Sequence, residues 1–184
     1  MTNITKKNQT KQQLQTALLK LLEQKPLNTI SITELAKAAS VSRQAFYRNY
    51  EYVDEILAEY TDKLFHDFFL DPVMLKPETD WQQCSLHVFR FIRENSNLLK
   101  QLNLNNRSKF WFNSCVTYSA TYYEKRLGHK VSNDKLIFLT GGIMALGLSW
   151  TNEHPKQSIN YLATIINPHS QLILNDQKKL RSIN

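Results

Sequence analysis

Apolar residues recur at helical spacing along nearly the whole chain, and polar or proline-bearing breaks cut that pattern into separate helices. Over 9–24, Leu14, Ala17, Leu18, Leu21 and Leu22 form one stripe of period 3.6, and Lys25-Pro26 ends it. Ser31 and Glu34 stand in the S-x-x-E spacing of a capping box, which predicts a short helix through Leu35, Ala36, Ala38 and Ala39. Ser42 is placed to cap a further helix starting at Arg43. Phe46 and Tyr50, four apart, can both point inward from it. A longer helix is expected over 53–69, with Ile56, Leu57, Tyr60, Leu64 and Phe68 on one side, followed by a loop holding Pro72 and Pro77.

The second half repeats the pattern. Trp81, Cys84, Val88, Phe91 and Ile92 line one face of a helix ending near Asn95, and a short helix covers 97–102. The segment 108–127 is apolar on more than one side, which predicts a helix buried in the middle of a bundle, with Gly128 as its C-terminal cap. Leu136, Leu139, Ile143, Leu146 and Trp150 mark a helix over 132–152, beside a small-residue surface of Gly141, Gly142, Ala145 and Ser149. An interior glycine costs about 1 kcal/mol relative to alanine, so this surface, with Gly147, predicts close helix packing. A last helix is expected from Pro155 to about Ile166, carrying Ile159, Leu162 and Ala163. Lys178, Lys179 and Arg181 in the tail read as solvated. The fold class is therefore all-α, with a small N-terminal domain over 1–52 and a larger helical domain over 53–184.

The segment 30–57, ISITELAKAASVSRQAFYRNYEYVDEIL, carries the chemistry. Two short helices joined by a tight turn make a helix-turn-helix, whose second helix can enter the major groove of DNA. Arg43, Gln44, Tyr47 and Arg48 offer donors and acceptors on that helix, and Ala45 is small enough to lie against a thymine methyl. An ordinary amphipathic helix would show the same polar face. Charge decides between them, because residues 1–50 hold eight Lys/Arg against two Asp/Glu, a net +6 of the chain's total +7. That is the electrostatic footprint expected for a phosphate backbone. Arg43 and Gln44 are expected to read base edges; Ser31, Thr33, Ser42, Tyr47 and Asn49 to hold phosphates; Lys6, Lys7 and Lys11 to add salt-dependent affinity.

The run ISITELAKAASVSRQAFYRNY resembles the N-terminal signature of the TetR/AcrR family of bacterial transcriptional regulators, and the resemblance covers roughly residues 10–58. Two positions depart from it. Ser40 stands where the turn usually has glycine, and Val53 where a phosphate-binding lysine commonly opens the fourth helix; Tyr52 or the basic N-terminus is the candidate stand-in. The resemblance implies a homodimer on a pseudo-palindromic operator in double-stranded DNA, and a C-terminal domain that senses a small-molecule effector. The function expected is a repressor released by that effector; the alternative is a TetR-like activator or adaptor whose C-terminal domain answers to a protein partner. Two helices from each subunit would form the interface, with Phe138, Gly142, Ala145, Ser149, Ile159, Leu162 and Ile166 on it. Packing only inside the monomer is the other reading of those faces.

Sixteen of the twenty aromatic residues lie beyond residue 59, where they either fill the core or line a ligand pocket. Trp81, His87, Trp111, Cys115, Tyr118 and Tyr122 are the pocket candidates, between the helices at 81–95, 108–127 and 132–152. Tyr118 and Tyr122 lead because a buried hydroxyl needs a partner. Cys84 and Cys115 have no C-x-x-C spacing and read as free thiols. Five scattered histidines show no ligand spacing, and H-E-x-x-H, G-x-S-x-G and P-loop motifs are missing from the sequence, so neither enzyme activity nor a metal or other cofactor is expected. The opening MTNITKKNQTKQQ has no apolar core of a signal peptide, and no apolar run approaches the ~20 residues of a membrane span. A cytoplasmic protein with no membrane partner is expected.

Overall fold

The computed structural model describes residues 3–76, 79–153 and 156–175. Among them the chain is all-α, with ten α-helices and one short 3-10 turn. It divides into two compact units, one of residues 1–64 with 97–111 and one of 65–96 with 112–184, so the division falls within three helices.

The first unit contains α1 (Asn3–Leu22), a 3-10 turn (Leu27–Thr29), α2 (Ile32–Ala38), α3 (Arg43–Tyr47) and the first part of α4 (Val53–Phe69). Helix α1 begins six residues earlier than the apolar stripe predicts, on the polar run before Gln9. The predicted stripe faces inward: Leu14, Ala17, Leu18 and Leu22 are buried with Leu35, Ala36, Phe46, Tyr50, Ile56 and Leu57. Most of α7 (Ser96–Leu104) and the start of α8 (Ser108–Leu127) join this unit, bringing Leu98, Leu99, Leu102 and Trp111 into burial. Arg107, between those helices, donates through Nε to the Asp54 carboxylate in the first turn of α4.

In the second unit α6 (Trp81–Glu94) packs against α5 (Pro72–Leu75), α9 (Asn133–Glu153) and α10 (Ile159–Asn175). Its start is a full capping box: Asp80 accepts from the Gln83 amide at 2.7 Å, and Gln83 accepts from the Asp80 amide at 3.3 Å. Where a loop is expected, Asp71 caps the short α5 with Pro72 in its first turn, a favoured combination.

Helix α8, expected to be buried all round, carries an exposed polar stripe of Asn113, Thr117, Thr121 and Glu124, whose spacing of three and four was readable. Its left-handed end at Gly128 (φ +72°) is the cap expected there.

Helix α10 begins at Ile159 and runs through Pro168 to Asn175, past the predicted end. Proline removes one backbone hydrogen bond, and burial of Ser170 and Leu174 beyond it supplies the packing that carries the helix on. The start expected at Pro155, together with Pro77, His154 and the tail cations, lies outside the described residues.

Gly147 meets the expectation of close packing, since an added Cβ there would lie 3.0 Å from Ile92 Cγ2. Gly141 and Gly142 do not: the nearest atom to a Cβ at Gly141 is 3.9 Å away, and at Gly142 nothing lies within 4 Å.

Candidate nucleic-acid interface and effector cleft

Helices α2 and α3 are short, so their termini carry much of their backbone chemistry. Ser31 Oγ accepts from the Glu34 amide at 3.2 Å, and Ser42 Oγ accepts from the Ala45 amide at 3.1 Å. The box at Ser31 closes only from one side, because the Glu34 carboxylate takes Lys25 Nζ at 2.5 Å instead of turning back. Between the helices, the Val41 amide donates to Ala36 O at 2.9 Å and the Ser40 amide to Lys37 O at 3.1 Å. This is a Schellman turn, and it holds Ser40 left-handed at φ +55° in the position expected to suit glycine.

Phe46 is wholly buried beneath α3, and Tyr50 follows it inward. Burial, then the Glu59 carboxylate, pushes the Tyr50 phenol up. Anchored from below, α3 presents Arg43, Gln44 and Arg48 to solvent, with Tyr47 52% exposed and Ala45 half-buried beside them. Ser31, Thr33 and Ser42 are exposed on the same unit. Each capping serine uses a lone pair for its helix and keeps its hydroxyl proton to donate outward. Lys6 and Lys7 are exposed on α1.

Three expected contributors are placed differently. Lys11 pairs with Glu59 at 2.6 Å and lies 5.0 Å from the centre of the Tyr50 ring, so its charge is spent inside the unit. Asn49, in the turn after α3, folds back onto that helix, donating to Ala45 O at 2.6 Å with its carbonyl oxygen buried. Tyr52 is exposed, but Glu51 pushes its phenol up by a hydrogen bond and by its charge, which makes this a poor place for a phosphate.

In the second unit the aromatic residues mostly fill the core. Phe68 packs on Phe91 at 4.3 Å between ring centres, Phe69 on Tyr122 at 5.4 Å and Phe89 on Trp150 at 5.9 Å. His87 stacks on Phe68 at 5.1 Å with Nε2 3.7 Å from Asp71, a structural placement. Cys115 accepts from Thr140 at 3.8 Å, and burial pushes its thiol up to about 12. Both cysteines are free thiols. Tyr118 meets the His66 ring edge-on at 5.6 Å, and Trp111 is buried in the other unit.

Of the six pocket candidates, the structure brings Trp81 and Tyr122 together at a cavity. Where α6, α8 and α9 were expected to enclose a pocket there is a void of about 20 Å³, room for about one water. A larger cleft of about 450 Å³ lies beside it, walled by Met74, Leu75, Trp81, Tyr122 and Leu127, with Lys125 and Arg126 at its edge. Sequence reasoning missed the two cations. The signal was the spacing, since Arg126 follows Tyr122 by one helical turn.

The expected dimer residues also divide. Phe138 is 68% exposed, Gly142 and Ala145 are exposed, and Ser149 and Ile159 are half-buried. Leu162 is wholly buried within its own unit and has no surface left for a partner, and Ile166 lines the small void. Tyr161 and Ile165, one residue before each, are exposed large apolar side chains of α10. A one-residue step turns a helical side chain by about 100°, which is why the inward and outward residues alternate so closely.

No protein-family model matches the sequence, and no curated protein shows significant sequence similarity to it. Solved structures do match. Lin0861 from Listeria innocua superposes with a TM-score of 0.71 at 17% identity over 94% of each chain. The TetR family repressor AlkX from Dietzia sp. gives 0.60 at 19% identity, over 89% of this chain and 97% of that one. FadR from Thermus thermophilus, a TetR family transcriptional repressor solved with lauroyl-CoA, gives 0.60 at 19% identity, over 91% and 94%. The chain thus has the all-α fold that TetR-family regulators share.

Proposed function

We propose that this chain is a TetR-family DNA-binding transcriptional regulator that acts as a homodimer and is released from its operator by a small molecule. The observation that carries the reading is α3: anchored by Phe46 and Tyr50, capped by Ser42, and presenting Arg43, Gln44, Tyr47 and Arg48 outward. Arginine suits guanine O6 and N7, and glutamine suits adenine N6 and N7, so Arg43 and Gln44 are assigned to bases. Ser31, Thr33, Ser42 and Tyr47 position the unit on phosphates, with Lys6 and Lys7 adding charge. Two copies would present two such helices about one DNA turn apart, ~34–36 Å, on a pseudo-palindrome. Phe138, Gly142, Ala145, Tyr161 and Ile165 supply an exposed surface for the second copy.

Release follows from linkage: an effector that binds better to the DNA-incompetent state weakens DNA binding, and DNA weakens effector binding by the same factor. The cleft at Trp81 and Tyr122 favours a small molecule over a protein partner, because it is concave and of the volume that ligands occupy.

Fluorescence anisotropy tests the reading, with the purified protein titrated onto its own upstream DNA and onto a scrambled duplex across a salt series. Roughly a hundredfold or greater preference for the native sequence is expected. Equal, steeply salt-dependent binding to both duplexes would reduce α3 to a basic surface and overturn the assignment.

A further inference from the structure

We infer that the cleft beside Arg126 is a binding site for an amphipathic anion, a small molecule with an apolar body and one negatively charged head. The walls provide for the body: Met74, Leu75, Trp81, Tyr122 and Leu127 line the open cleft of about 450 Å³ with mainly apolar surface. Burial, then the hydrogen bond to Cys84, keeps the Tyr122 phenol neutral, so the floor brings no negative charge.

The head is matched by Arg126. Its guanidinium carbon lies over the Trp81 ring, 4.6 Å from the ring centre, a cation–π contact that helps to hold it in place. It donates through Nη2 to Thr79 O and through Nη1 to Met74 O, the latter at 3.4 Å. Both partners are neutral carbonyls. A guanidinium has five N–H donors, so these bonds fix its position while leaving further donors free, and neither carbonyl neutralises its charge. Among the described residues no carboxylate pairs with Arg126 or with Lys125. Two cations in the last turn of α8 also suit the helix dipole, but that role needs neither the aromatic clamp nor the cleft. An oriented arginine at the rim of an apolar recess is the arrangement that recognises a carboxylate, sulfonate or phosphate head on an apolar body.

Binding at this cleft is independent of DNA; only its use as the effector site rests on the regulator reading above, which the anisotropy experiment tests separately. The probe is anilinonaphthalene sulfonate, followed by its fluorescence, against phenylnaphthylamine, the same ring system without the sulfonate. The full-length protein is expected to bind the sulfonate at least roughly tenfold more tightly than the neutral probe. Arg126→Met should bring the two affinities together, whereas Arg126→Lys should keep part of the preference. Should Arg126→Met lose its native circular dichroism, Lys125→Glu at an exposed position takes its place and should weaken the sulfonate at least threefold. Equal binding of both probes, or sulfonate affinity unchanged in a folded Arg126→Met or in Lys125→Glu, overturns the assignment.

Discussion

Ser40 occupies a backbone conformation that its side chain opposes, and replacing it should strengthen the helix-turn-helix. At φ +55° the Cβ of an L-residue crowds the neighbouring carbonyl, a cost of about 1–2 kcal/mol. The conformation persists because the Schellman hydrogen bonds, Val41 to Ala36 and Ser40 to Lys37, are made by the backbone, and the buried Ala36 and Ala39 hold the helix end. Ser40→Gly keeps both bonds and loses no contact of an exposed hydroxyl. Glycine gives back about 0.5–1 kcal/mol through the greater freedom of the unfolded chain. The net gain is therefore about 0.5–1 kcal/mol, or roughly 1–4 °C in Tm for a chain of this size. Thermal and urea denaturation followed by circular dichroism would read it. Ser40→Val should move the other way, since a branched Cβ is least tolerated at positive φ. A Ser40→Gly protein no more stable than the parent, with Ser40→Val unharmed, would show that the turn is not left-handed in solution.

The same chemistry extends to other sites. Gly147→Ala should lower stability by about 1 kcal/mol, because buried Ile92 cannot yield to a Cβ at 3.0 Å, while Gly141→Ala should raise it by about 0.5–1 kcal/mol; paired melting curves compare them. A double-mutant cycle of Asp54→Asn and Arg107→Met should give a coupling of about 0.5–1 kcal/mol, modest because both side chains are partly exposed, and no coupling would mean the pair is not formed in solution. The Cys115 thiol, held up at about 12 by burial, ionises in the unfolded chain near its ordinary 9.0. Its stabilisation is complete below pH 9 and lost as pH rises toward 12, so stability should fall by up to about 1.4 kcal/mol per pH unit there, less steeply in Cys115→Ala. On DNA, Arg43→Ala should cost about 1–3 kcal/mol on the native site and relax its sequence preference, whereas Lys6→Ala with Lys7→Ala should weaken all duplexes alike and flatten the salt dependence; the reverse pattern would mean the roles are exchanged.

Local chemistry was legible wherever partners lie within four residues of each other. The caps at Ser31 and Ser42, the left-handed end at Gly128, the inward pair Phe46 and Tyr50, and the stripe of α1 all depend on short spacings that a linear reading sees directly. The outward face of α3 followed from the same periodicity. The capping box at Asp80 and Gln83 and the polar stripe of α8 were present in the same form and were passed over.

Partners far apart in sequence were decided by the fold alone. Glu59 takes up Lys11 from 48 residues away, and Asp54 receives Arg107 from 53. Of the three glycines in α9, only Gly147 is tightly opposed, by Ile92 at 3.0 Å, whereas Phe112 lies 3.9 Å from a Cβ at Gly141 and nothing lies within 4 Å of one at Gly142. Leu162 turned inward and Tyr161 outward according to what α10 packs on, and α10 continued past Pro168 because Leu174 had a core to enter. Arg126 could be read as one more helix-end cation until the chain brought Trp81, Met74 and Thr79 around it. Spacing along a helix determines which side chains share a face; which faces meet depends on burying apolar surface from the whole chain at once, and that sum exists only in three dimensions.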